Sequence, residues 1–169
     1  MNKALTDTEL DHLLNFVGYG SLNASVWFAG MEEAGGGEDN IRSRLNFRQV
    51  EDCAEAHKTL GITKHHFGKK TIQRTWRGMC YVMLRLEGKE PDTESIRNYQ
   101  ADYLGRFHGS SLLCELMPIP KPNISSWGSE LRGNTYACKT VPICQYAHRP
   151  AAVGERQKCV GHPRLVGIE

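Results

Sequence analysis

The stretch Val26-Trp27-Phe28-Ala29-Gly30-Met31-Glu32-Glu33-Ala34-Gly35-Gly36-Gly37 constrains this chain more than any other. Its first five residues are apolar and rich in β-branched and aromatic types, which reads as a strand buried on both faces. The run ends at a glycine, then at two adjacent carboxylates, then at a glycine triplet, and an amphipathic helical pattern follows. In open α/β sheets, ligands bind beyond the carboxyl ends of strands. Two acids delivered there by a buried strand are candidates for chemistry, which makes Glu32 and Glu33 the candidate catalytic residues. The competing reading is a surface loop with solvated acids.

The rest of the pattern alternates helices with apolar runs. Thr6-Asp7-Thr8-Glu9 is a capping box, and the helix it opens carries Leu10, Leu13, Leu14 and Val17 on one face before Gly18. Gly18 to Asn23 reads as a loop into the strand. A second helix, capped by Asp39 or Asn40, is expected to bury Ile41, Leu45, Val50, Cys53 and Ala54 and to close near Gly61. Residues 64–77 are basic, with Lys64, His65, His66, Lys69, Lys70, Arg74 and Arg77. They lead into a third helix with Ile72, Trp76, Met79, Cys80, Met83 and Leu86 at helical spacing. A fourth helix starts at Pro91-Asp92-Thr93 and runs through Ile96, Tyr99, Tyr103 and Leu104. Ser110 to Met117 reads as a second strand, which the following prolines should end. Strand, helices, strand in that order implies a parallel crossover and a sheet covered by helices.

Totals narrow the class. A chain of 169 residues, 40% hydrophobic and 24% charged, is long enough for one domain with a real core. A net charge of +2 neither requires nor opposes a nucleic-acid partner. No apolar run approaches the roughly 18 residues of a membrane span, and the first residues lack the apolar core of a signal peptide. Of the six cysteines, Cys53, Cys80 and Cys114 fall within apolar helices or a strand, as buried small hydrophobes do. A cytoplasmic, reduced, monomeric protein is expected. Beyond Trp127 no helical period persists, and Cys, Arg, Pro and Gly are scattered. A reading-frame change after Trp127 would produce such a texture.

Two motifs carry a resemblance. Phe28-Ala29-Gly30-Met31-Glu32-Glu33-Ala34-Gly35 looks like the first motif of the uracil-DNA glycosylase superfamily. Leu112-Leu113-Cys114-Glu115-Leu116-Met117-Pro118-Ile119-Pro120 looks like its later strand, which in many members ends with a base-reading Asn. The chain most resembles the uncharacterised bacterial branch of that superfamily, over roughly residues 10–127. The resemblance implies a three-layer α/β fold, a parallel sheet flanked by helices, incomplete at the C-terminus. Residues 1–127 would form the glycosylase-like domain and 128–169 an irregular tail. It implies a DNA partner and hydrolysis of the N-glycosidic bond of a flipped base. Glu32 falls where the family positions its water, Met31 at the backbone position beside the base, and Glu115 where the reading Asn stands. The sequence departs from the family at Glu33, in place of a proline, and at Glu115, because an ionised carboxylate only accepts hydrogen bonds. The family's His-Pro-Ser-like loop is missing from its expected context; His162-Pro163-Arg164 is a superficial match.

The chemistry is coherent beside the name. Glycosidic cleavage passes through an oxocarbenium-like state that a carboxylate near the sugar stabilises. The base must leave the stack, so a polar reader and an aromatic wall are needed. Glu115 is the candidate reader, Tyr19, Phe28 or Trp127 the candidate wall, and Lys121, Ser125 and Ser126 the candidate phosphate contacts. No cofactor or metal is assigned: Cys138, Cys144, Cys159 and His162 lack the tight Cys-x2-Cys pair of common zinc modules. Two further readings compete. One is a non-catalytic nucleic-acid-binding module using Lys64 to Arg77, and the other an inactive truncated product.

Overall fold

The structure is a computed structural model. It describes residues 5–121 and 164–167, the last four and Glu32 by their backbone alone. The chain is α/β, and among the described residues five strands form one sheet flanked by helices. Helix α1 (Asp7–Leu14) opens with the expected capping box: the Thr6 hydroxyl accepts from the Glu9 amide, and the Glu9 carboxylate accepts from the Thr6 amide. The strands are β1 (Gly18–Gly20), β2 (Val26–Ala34), β3 (Val50–Glu51), β4 (Ser111–Lys121) and β5 (Arg164–Gly167), in the order β3-β1-β4-β2-β5. Between β2 and β4 lie α2 (Glu38–Arg44), α3 (Cys53–Thr59), α4 (Arg74–Leu86) and α5 (Thr93–Asp102).

The two apolar runs are direct neighbours. β2 pairs with β4 in parallel, Phe28 opposite Leu113 and Gly30 opposite Glu115. The helices between them form the crossover that a parallel pair requires. The sheet is nonetheless mixed, which corrects the all-parallel expectation: β1 runs antiparallel to β4 and parallel to β3. The segment expected to be a loop supplies this reversal. Gly18 and Gly20 let β1 approach β4 closely, because a Cβ at either position would stand 1.9 Å from the Leu113 carbonyl oxygen or 2.3 Å from that of Ser111. Glycine in a strand marks such an approach.

Other boundaries moved as well. The central strand, expected to end at Gly30, continues as β2 to Ala34, because Glu32 and Ala34 still pair with β4, so Glu32 and Glu33 lie within it. The second helix divides in two, because Asp52 caps α3 by accepting from the Ala54 and Glu55 amides. Val50 then pairs with Gly18 in β3 instead of continuing a helix. β4 runs through Pro118 and Pro120 to Lys121. It has no β1 partner beyond Cys114, so the prolines fall where β4 has one described neighbour and the missing amide donors break no second ladder. β5 pairs with Val26 to Ala29 and so adds a strand at 164–167, where the sequence promised none. Residues 122–163 and 168–169 lie outside the described residues, and the other expectations for the tail with them.

Alternation divides the core between the sheet's two faces. Val26, Phe28, Tyr19 and Leu113 pack with Cys53 and Ala56 of α3, Met79, Cys80, Met83 and Leu84 of α4, and Ile96 and Tyr99 of α5. The opposite face buries Val17, Ala24, Trp27, Leu112 and Cys114. Among the described residues no helix is long and apolar enough to cross a membrane.

Candidate functional site

A cleft of about 660 Å³ opens on the helix-covered side, along the C-terminal half of β2 and beside the middle of β4. Gly30, Met31, Glu33 and Ala34 line it from β2 and Glu115 from β4; His57 lines it from α3, Ile62 to His65 from the following loop, and Gln73, Thr75, Trp76 and Met79 from the start of α4. Its location follows from strand register. Glu115 shares the face of Leu113 two residues earlier, and Gly30 opposite it has no side chain to compete. A Cβ on Gly30 would stand 2.5 Å from Glu115 Oε2. The glycine therefore lets the carboxylate lie across β2.

Glu33 reaches the same side by an irregularity. Strict alternation from Phe28 would send residue 33 to the other face, but the register shifts between Glu32 and Ala34. The Tyr19 hydroxyl donates to Glu33 Oε2 at 2.6 Å, and Arg44 Nη2 lies 2.9 Å from the same oxygen. Arg44 Nη1 also donates to the Tyr19 oxygen at 3.2 Å, and its Nε to Asn40 Oδ1 at 2.9 Å. Arg44 is almost fully buried, so this is an interior ion pair held on both sides. Burial, then the Glu33 charge, pushes the Tyr19 phenol well above its ordinary pKa. Burial opposes the Arg44 charge, but Tyr19 and Glu33 outweigh it.

The wall opposite the acids is aromatic. Trp76 stacks on His57, with ring centroids 5.2 Å apart and planes at 16°. His65 and His66 approach the same indole at 5.6 and 5.7 Å. The His65 and His66 rings are buried, whereas Lys64, Lys69, Arg74 and Arg77 are exposed. Lys70 is paired with Asp102.

The structure thus brings Met31, Glu33 and Glu115 to one cleft. It describes Glu32 only by its backbone, which pairs with Met117. Tyr19 and Phe28 are core residues at 3% and 1% exposure, and neither lines the cleft. Lys121 closes β4, where its carbonyl accepts from the Gly35 amide, and its side chain is buried. Ser125, Ser126, Trp127 and His162 lie outside the described residues. Sequence reasoning missed His57 and Trp76 as cleft residues. Helical spacing marked Trp76 only as core and left His57 unremarked, and no local signal tells a core aromatic from one at the mouth of a cleft. Compared with known proteins, the chain matches no family model, no curated protein and no solved structure.

Proposed function

We propose that this chain is a DNA-base-excising, glycosylase-like protein that hydrolyses the N-glycosidic bond of a flipped base. The observation that carries the reading is the parallel pairing of β2 with β4, Gly30 opposite Glu115, which sets acids from two adjacent strands at one cleft. A volume of about 660 Å³ suits a base with its sugar. Trp76 offers a π-face for the extruded base. Glu115 accepts from exocyclic and ring N–H donors. Exposed Lys64, Lys69, Arg74 and Arg77 supply cations for phosphates. Glu32, next along β2 to Met31, has the role of orienting water and stabilising the oxocarbenium charge. Glu33 is a positioning residue, because Tyr19 and Arg44 already hold its carboxylate.

That engagement of Glu33 also favours a second reading, a binding module without base release, since one of the two adjacent acids is committed to the interior. Abasic-site formation on single-stranded uracil-containing DNA separates the two. Weak cleavage is expected from the wild-type chain, falling a further hundred- to thousandfold, roughly, in Glu32→Gln. Cleavage that survives Glu32→Gln unchanged would remove Glu32 from the mechanism. Salt-dependent binding with no abasic product would establish the module. In either case Trp76→Ala should weaken single-strand binding by about 1–3 kcal/mol if a base stacks there.

A further inference from the structure

Behind the cleft wall, three side chains converge for which the base-excision reading has no use. Cys53 opens α3, His57 lies one turn later on the same face, and His66 enters from the loop after Gly61. All three are buried, and their ligand atoms lie within 4.8 Å of one another. Cys53 Sγ stands 3.8 Å from His66 Nε2, and His66 Nε2 stands 3.1 Å from His57 Nδ1. A tetrahedral zinc ion, with bonds of about 2.3 Å to sulfur and about 2.0–2.1 Å to nitrogen, sets sulfur–nitrogen edges near about 3.6 Å and nitrogen–nitrogen edges near about 3.4 Å. These two separations fall within a few tenths of an ångström of those edges, and the Cys53–His57 pair lies within 4.8 Å.

We propose that Cys53, His57 and His66 bind one zinc-class divalent cation, which ties the 61–73 loop to α3 beneath the cleft. The donor set of one thiolate and two imidazoles suits such a borderline-soft ion. Orientation is built in. His66 Nδ1 faces the Ala101 carbonyl oxygen at 3.4 Å, which calls for a proton on Nδ1 and leaves the Nε2 lone pair turned toward Cys53 and His57. Metal-binding histidines are commonly oriented through their second nitrogen in this way. Stacking on Trp76 fixes the plane of His57. On binding, the Cys53 thiol gives its proton to solvent and the thiolate becomes the ligand. Three protein ligands leave one tetrahedral position, and His57, which lines the cleft, places the ion next to it. The site stands apart from the base-excision reading: a metal that orders the loop is equally compatible with binding alone.

Cobalt(II) added to the full reduced chain is the probe. The expected result is a 1:1 complex with a thiolate-to-cobalt charge-transfer band and the intense visible bands of a tetrahedral site. The band should vanish in Cys53→Ser and persist when Cys138, Cys144 and Cys159 are all replaced by Ser. His66→Gln should weaken binding by more than the roughly 10–100-fold that loss of an outer-sphere partner costs. Zinc should raise the melting temperature of the unmodified chain and of the triple tail variant alike, a readout that needs no change at the site. Absence of a charge-transfer band in the wild-type chain would overturn the proposal. So would a band, or a zinc-dependent rise in melting temperature, that disappears with the tail cysteines.

Discussion

Two glycines show how differently one added methyl group acts within the same sheet. At Gly18 the backbone has φ 151°, and a Cβ would stand 1.9 Å from the Leu113 carbonyl oxygen. That oxygen belongs to the neighbouring strand and cannot retreat without parting β1 from β4. Gly18→Ala is expected to cost on the order of 3 kcal/mol, as strained or overpacked backbone does. At Gly30 the obstacle is Glu115 Oε2, the far end of a side chain and not backbone. Gly30→Ala should change global stability by less than about 1 kcal/mol, because a rotamer change relieves the contact, while moving the carboxylate in the cleft. Urea denaturation of both variants checks this. Equal losses would mean that the Glu115 carboxylate is as immobile as a backbone carbonyl.

At the scale of the element, α3 depends on its cap. Asp52 Oδ1 accepts from the Ala54 amide, while Oδ2 accepts from Arg106 Nε at 2.9 Å and the Phe107 amide at 3.2 Å. One carboxylate therefore both starts the helix and fastens it to the turn before β4. Asp52→Ala should cost about 3 kcal/mol, combining a lost cap with a guanidinium left unpaired in a mostly buried place. Burial raises the Asp52 pKa, but Arg106 and the backbone amides outweigh it and hold the group below the usual carboxylate range. A carboxylate depressed in the folded state stabilises fully above its unfolded pKa, about 3.9. That contribution is lost as pH falls from about 4 through the lower folded value. Melting curves of wild type and Asp52→Asn should therefore converge as pH drops below about 4. A gap that stays constant to the lowest pH would show that charge is not the source.

The whole molecule is organised about its two central strands. β4 lies between β1 and β2, and β2 between β4 and β5, so Phe28 and Leu113 have paired neighbours on both sides. Local opening should be hardest there and easiest in the exposed turn around Gly61, Gly68 and Lys69. Native-state amide exchange is expected to be slowest at Trp27 to Ala29 and Leu112 to Cys114. Exchange at the 61–69 turn should be many times faster in the metal-free chain and should slow selectively when zinc is added. Uniform exchange across the sheet and the turn would contradict this hierarchy.

Much of the fold was legible because local chemistry dictates it. The Thr6 capping box, the apolar periods of α4 and α5, and the runs that became β2 and β4 all follow from residues within a turn or a strand of one another. The acid-bearing runs were legible for the same reason; Glu33 and Glu115 line one cleft, but from within their strands and not beyond them, and the Glu32 side chain expected beside Glu115 lies outside what the structure describes. The sequence did not disclose the direction of β1, since a glycine-rich segment becomes a strand only when another backbone comes within reach. Nor did it disclose that Asp52 would divide one helical pattern into two, because its second ligand, Arg106, lies 54 residues away. Cys53 and His57 already shared a helix face in the sequence, but His66 joins them only through the turn at Gly61 and the carbonyl of Ala101. Periodicity decides which face of an element is apolar. Only the packing of distant elements decides which polar atoms meet behind it, because that meeting depends on contacts no local pattern encodes.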